Sequence, residues 1–173
     1  MHSELGPVRR FADGNARSKR RNDAVIDRQY GKGINPALSR TPNMYRAVTR
    51  NIEVIVTPRF LSDRSAPEKG QFFWSYTIEI ANQGGETVQL KTRYWHITDA
   101  TGRVQEVRGA GVVGEEPVIG PGESFEYTSG VPLPTPSGFM TGRYGMATDT
   151  GENFDITIPA FSLDSAHASR TIN

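Results

Sequence analysis

From Tyr45 onward the apolar residues fall at every second position. Ile52, Val54 and Val56 share one face with Glu53 and Thr57 opposite, the alternation of a half-buried strand. Pro58 and the polar run over residues 62–70 predict a loop that ends it. Phe72, Trp74, Tyr76, Ile78 and Ile80 then alternate with Phe73, Ser75, Thr77, Glu79 and Ala81, the clearest strand in the chain. Asn82-Gln83-Gly84-Gly85 predicts a hairpin turn. In the next strand Val88 and Leu90 share a face, but the apolar positions change face near Tyr94 and Trp95. That predicts a bulge there, or burial on both sides. Asp99-Ala100-Thr101-Gly102 predicts a second turn, and a short strand over 103–107 leads into a glycine-rich loop. After the turn Gly120-Pro121-Gly122, Phe125 and Tyr127 alternate with polar neighbours. Residues 132–138 read as a stiff, extended connection. Met140, Tyr144 and Met146 mark a later strand, in which Gly142 and Gly145 permit close backbone approach. The last strand carries Phe154, Ile156 and Ile158, with a frayed tail expected from Ser162.

About seven or eight strands joined by short turns, with no helical period, predict an all-β antiparallel sandwich. There is no cysteine, so no disulfide and no thiolate metal site. The nearest class is a fibronectin type III or immunoglobulin-like sandwich without the disulfide. Charge divides the chain. Residues 1–44 carry nine Lys and Arg against four Asp and Glu, whereas residues 45–173 carry eleven against fifteen. The first segment has few apolar residues with which to offset ordering entropy. It reads as a basic, disordered extension, either solvated or lying upstream of a natural start at Met44. The β-sandwich domain is expected over 45–173. No apolar run approaches the roughly 20 residues of a membrane span, and the N-terminal residues lack the apolar stretch expected of a secretory signal. The expectation is a cytoplasmic protein with no membrane partner.

The candidate chemistry centres on Gly109, Gly111 and Gly114, which have G-x-G-x-x-G spacing. In a dinucleotide site such glycines follow a strand and open a helix whose N-terminus holds the pyrophosphate. Here Glu115, Glu116 and Pro117 follow, then Gly120 and Pro121, so no long helix can form. Two readings stay open: backbone devices in a β-rich loop, or a helix-free nest of amides for a phosphate or nucleotide, with Arg108 as counter-charge. On the second reading Gly111→Val abolishes binding and leaves the fold intact. Catalysis has little to build on. His2 and His167 lie in the tails, so a Ser-His-Asp triad would have to use His96. Asp99, Glu106, Glu115 and Glu116 could meet a hard cation such as Mg²⁺, but a solvated acidic rim is the simpler reading. The acidic body disfavours nucleic acid.

Several segments together resemble the bacterial ApaG family. They include Tyr45-Arg46-Ala47-Val48-Thr49-Arg50-Asn51-Ile52 and Arg93-Tyr94-Trp95-His96-Ile97-Thr98-Asp99. The glycine loop, Gly109-Ala110-Gly111-Val112-Val113-Gly114-Glu115-Glu116-Pro117, is a third. Tyr127-Thr128-Ser129-Gly130, Thr135-Pro136-Ser137-Gly138-Phe139-Met140 and Ile158-Pro159-Ala160-Phe161-Ser162-Leu163 complete the set. The resemblance spans residues 45–163 and implies a fibronectin-type-III-like sandwich. It also implies the family's associations: gene neighbourhood with a diadenosine tetraphosphatase, and a mutant phenotype of cobalt resistance and magnesium efflux. Eukaryotic relatives carry the domain in an F-box protein and in a protein that interacts with DNA polymerase delta. The expectation is a non-enzymatic protein-interaction module without cofactor or metal. It would bind protein partners, including a second copy through sheet edges. A phosphate or nucleotide binder is the alternative.

Overall fold

A computed structural model of the chain describes residues 43–166. Apart from Asn43 and Met44, the basic extension expected over 1–44 lies outside the described residues. Nine strands follow in order: β1 (Tyr45–Thr49), β2 (Ile52–Phe60), β3 (Phe72–Asn82), β4 (Val88–Asp99), β5 (Val104–Ala110), β6 (Val118–Ile119), β7 (Ser124–Leu133), β8 (Ser137–Thr148) and β9 (Asn153–Asp164). They form two antiparallel sheets, β1-β2-β3-β7 and β5-β4-β8-β9, with β6 paired to β4. The fold is therefore the expected all-β sandwich. Its core is made by the inward residues of both sheets, as alternation requires. β3 alternates without a fault from Phe72 to Asn82. Its apolar face meets Leu90, Trp95, Tyr144, Ile158 and Phe161 of the facing sheet, all buried.

The strand count exceeds the expected seven or eight partly because one hairpin is hidden in the sequence. β1 and β2 are joined by Arg50 (φ 49°) and Asn51 (φ 60°), a two-residue turn with both centres left-handed. Arginine is a poor residue for that conformation, which costs about 1–2 kcal/mol. Its guanidinium is held by two bonds to Glu152, of 2.7 and 3.0 Å, and lies 4.3 Å above the Phe154 ring. Pro58 does not end β2, which runs on to Phe60. β1 pairs only as far as Val56, so at Pro58 no β1 partner is lost.

The predicted hairpin at Asn82–Gly85 is instead a crossing between sheets, because β3 pairs with β2 and β7 while β4 belongs to the other sheet. Asn82 makes the corner. Its side-chain amide donates to Glu86 O (2.7 Å) and Ile119 O (3.0 Å), and its Oδ1 accepts from Gly84 N–H (3.0 Å). The bulge in β4 is real, but it lies at Lys91. The register jumps from Leu90↔Met146 to Thr92↔Gly145, which moves the buried face from Leu90 to Trp95 and Ile97. Ser162 is not frayed either: β9 pairs with β8 through Asp164, and Leu163 is fully buried.

The two sides of the sandwich differ. On one side β1 and β9 meet, with Thr157 N–H donating to Thr49 Oγ1 (3.2 Å) and the Tyr45 and Ser162 hydroxyls 2.8 Å apart. Among the described residues the opposite side ends in the edges of β7 and β5.

Candidate functional site

The glycine loop is an excursion between β5 and β6, both antiparallel to β4, that closes in a tight hairpin and lies along the β4 bulge. β5 is longer than expected and includes Gly109, which pairs with Arg93. A Cβ at Gly109 would stand 3.1 Å from the Arg93 guanidinium. Arg93 Nη1 donates to the carbonyls of Ala110 (2.8 Å) and Gly111 (2.7 Å). Gly111 has φ +56°, and its amide donates to Lys91 O at 2.9 Å. A Cβ there would lie 2.1 Å from Glu115 O. Val112 and Glu115 exchange backbone bonds of 2.8 and 2.9 Å around a tip of Val113 (φ 47°) and Gly114 (φ 78°). Val112 is buried, so the loop is anchored in the core. Lys91 forms an ion pair with Glu116, and Leu90 N–H donates to Pro117 O (3.0 Å).

The three glycines thus lie in one short stretch of chain but do separate work: room for a guanidinium, room for a carbonyl, and a turn. Gly111→Val cannot leave the loop as it stands, because its Cβ would overlap the Glu115 backbone. Arg108 stands apart from the loop, its guanidinium 4.5 Å above the Tyr94 ring.

The four carboxylates do not converge. Asp99 Oδ1 accepts from Thr101 N–H, Thr101 Oγ1 and Arg103 N–H, at 2.7–3.1 Å, and closes the β4–β5 turn. The Thr101 hydroxyl and the two amides hold its carboxyl below the usual range. Glu106 accepts from the Tyr94 hydroxyl at 2.7 Å, and that bond, with Arg108 nearby, lowers its pKa. Glu116 is engaged with Lys91. Among the described residues no three His, Asp or Glu side chains gather in a way that could hold a metal ion. No helix among them is long and apolar enough to cross a membrane.

The feature sequence reasoning missed is on the outer face of the larger sheet. Arg108 of β5 and Arg143 of β8 both pair with Tyr94 of β4, one on each side. Their guanidiniums lie 4.5 and 4.4 Å from the Tyr94 ring centre, a cation–π arrangement. Arg143 Nε is 3.2 Å from Asp155. His96 lies two residues along, between Glu106 and Thr141. Two further on, Thr98 is flanked by Val104 and Phe139, both about half exposed. The only clue in the sequence was the face change around Tyr94. Arg143 lies far away along the chain, and no local pattern links the two.

Behind this face the core holds a polar pair. The Tyr127 and Tyr144 hydroxyls bond to each other, and burial raises both well above the ordinary tyrosine value. Tyr76 is raised as well, first by burial. The folded state therefore keeps these protons more tightly than the unfolded chain does. Their contribution is complete below about pH 10 and is lost as pH rises above it. Chemical denaturation at pH 8–11.5 should show constant stability, then a fall of about 1.4 kcal/mol per pH unit for each coupled tyrosine. Tyr144→Phe should make the alkaline limb shallower.

A family model described as the ApaG domain matches residues 62–148. Protein ApaG of Afipia carboxidovorans is 68% identical over 130 residues, covering 75% of this chain and all of that protein. Protein ApaG of Rhodopseudomonas palustris strain TIE-1 is 66% identical over the same share of both chains. Among solved structures, a Bordetella pertussis protein described as ApaA superposes with a TM-score of 0.65 at 46% identity. The match covers 67% of this chain and 94% of that one.

Proposed function

The chain belongs to the ApaG family, and on that footing we propose that it is a protein-binding β-sandwich that takes its partner by strand addition at β5. The observation that carries this reading is the edge itself. Among the described residues β5 ends its sheet, five of its seven residues are exposed, and no proline interrupts it. Such a strand offers a row of backbone donors and acceptors to an incoming chain. The β7 edge is a poorer template, because Pro132 removes an amide. The side chains beside β5 supply selectivity: the Arg108–Tyr94–Arg143 stack, the Glu106 carboxylate and the apolar Val104. Any part in cobalt, magnesium or dinucleoside polyphosphate metabolism runs through the partner on this reading. A photo-crosslinking residue at Gln105 of the full chain, compared with one at the exposed turn residue Asp149, tests it. Products of defined mass from position 105 alone are expected. Equal yields at both positions, or none, overturn it.

A second reading rests on the exposed loop tip. Val113 is a β-branched residue held at φ 47° beside Gly114, a strain of the kind that collects at ligand sites. Successive left-handed residues aim their amides to one side, a geometry suited to a phosphate. An NMR titration with pyrophosphate and ATP, with and without Mg²⁺, decides it. Saturable shifts over residues 109–116 support an anion site, and no shift at millimolar ligand removes it.

A further inference from the structure

We propose that the occupant of the β5 edge is a second copy of this chain, paired antiparallel about a two-fold axis through Val107; the inference rests on the edge-binding reading above. The strand reads Val104-Gln105-Glu106-Val107-Arg108-Gly109-Ala110, and it is complementary to itself about its centre. With the axis at Val107, Glu106 of each copy stands opposite Arg108 of the other. Gln105 meets Gly109, Val104 meets Ala110, and Val107 meets its own copy.

Facing is consistent with that register. Glu106 and Arg108 both touch Tyr94, so both lie on the outer face of the sheet. Val107 pairs with the buried Trp95 and packs against the core, so it lies on the inner face. A two-fold axis normal to the sheet keeps outer residues opposite outer residues only when it passes through a residue. A one-residue slip in the pairing sets outward side chains against inward ones. Charge then selects among the residue-centred registers. An axis at Glu106 puts two carboxylates face to face, and an axis at Arg108 does the same with two guanidiniums. Directly opposed like charges destabilise an antiparallel pair and opposite charges support it. Val107 is the centre that pairs both charges correctly.

The two charges are also prepared for the task. Within one chain Arg108 Nη2 is 3.7 Å from Glu106, both side chains are at least half exposed, and such a pair adds little by itself. What holds them is Tyr94, which carries the guanidinium on its ring and the carboxylate on its hydroxyl. Side chains already ordered lose less entropy when a partner arrives. Pairing would join β9-β8-β4-β5 of both copies, each with β6 beside β4, into one continuous sheet. A seven-residue edge buries less area than a permanent dimer, so the association is of the weak, transient class and weakens with salt.

The test is a charge exchange on the full chain, followed by sedimentation equilibrium at low and high salt, with circular dichroism confirming that each variant is folded. Glu106→Arg alone sets guanidiniums against each other, and Arg108→Glu alone sets carboxylates against each other. Each is expected to raise the dimer dissociation constant about tenfold or more. The double variant restores opposite charges across the axis and should return close to the starting affinity. An equimolar mixture of the two single variants should form a heterodimer. A chain that stays monomeric at millimolar concentration overturns the proposal, as does a dimer indifferent to the exchange. If the crosslinker at Gln105 captures a different protein while this chain stays monomeric, strand addition at β5 stands and self-pairing falls. If Gln105 captures nothing, both fall.

Discussion

Trp95→Ala is expected to lower the free energy of unfolding by about 3–5 kcal/mol, the usual cost of removing a large buried aromatic. Trp95 is 3% exposed and joins the two sheets. Its ring centre lies 5.3 Å from Tyr76 of β3, 6.0 Å from Phe161 of β9 and 6.4 Å from Tyr144 of β8, each edge to face. Such edge-on pairs add about 0.5–1.5 kcal/mol beyond burial alone. Against a typical domain stability of about 5–15 kcal/mol, the loss approaches the threshold of folding. The consequence reaches the outer face, because Tyr94 is the next residue and orders Arg108 and Glu106. Urea denaturation followed by circular dichroism measures the change. A midpoint shift worth less than about 1.5 kcal/mol would mean that the neighbouring rings close over the space, and that the cluster is not the joint between the sheets.

Gly111→Val is expected to cost about 3 kcal/mol or more and to unseat the loop. Two penalties combine. A β-branched residue is strained at φ +56°, at about 1–3 kcal/mol. Its Cβ would also be placed 2.1 Å from the Glu115 carbonyl oxygen, which belongs to backbone and cannot rotate away. Gly114→Ala separates the two terms. Gly114 has φ +78°, yet nothing stands within 4 Å of an added Cβ, so only strain of about 1–2 kcal/mol is expected. Thermal melts of both variants give the comparison. NMR of Gly111→Val should show its amide released from Lys91 O. Equal losses in the two variants would show that the close approach of Glu115 is relieved at no cost, contrary to the geometry.

Nearly all of the strand content was legible along the chain. The alternation from Phe72 to Ile80 named the inward residues of β3 without error, and the turn at Asp99–Gly102 was read correctly, because period-two burial and turn chemistry are local properties. The errors came where local signals were ambiguous. Arg50 and Asn51 do not look like a left-handed turn, since an ion pair to Glu152, about a hundred residues away, holds them there. Asn82-Gln83-Gly84-Gly85 looks like a hairpin, but its turn residues equally suit a corner between sheets. In the candidate site, Arg108 and the glycines could be picked out along the chain, but what each of them packs against could not. Arg93 and Glu115 explain Gly109 and Gly111, and neither relation follows from G-x-G-x-x-G spacing.

The alternation of side chains along each strand, the absence of cysteine and the spacing of turns were enough to settle an all-β sandwich and most of its core, since each depends on neighbours in the chain. The assignment of strands to sheets, the bulge at Lys91, the closure of β1 on β9 and the stacking of Arg108 and Arg143 on Tyr94 came only with the tertiary structure. Each of these depends on pairing between distant segments, where register and packing decide which side chains meet.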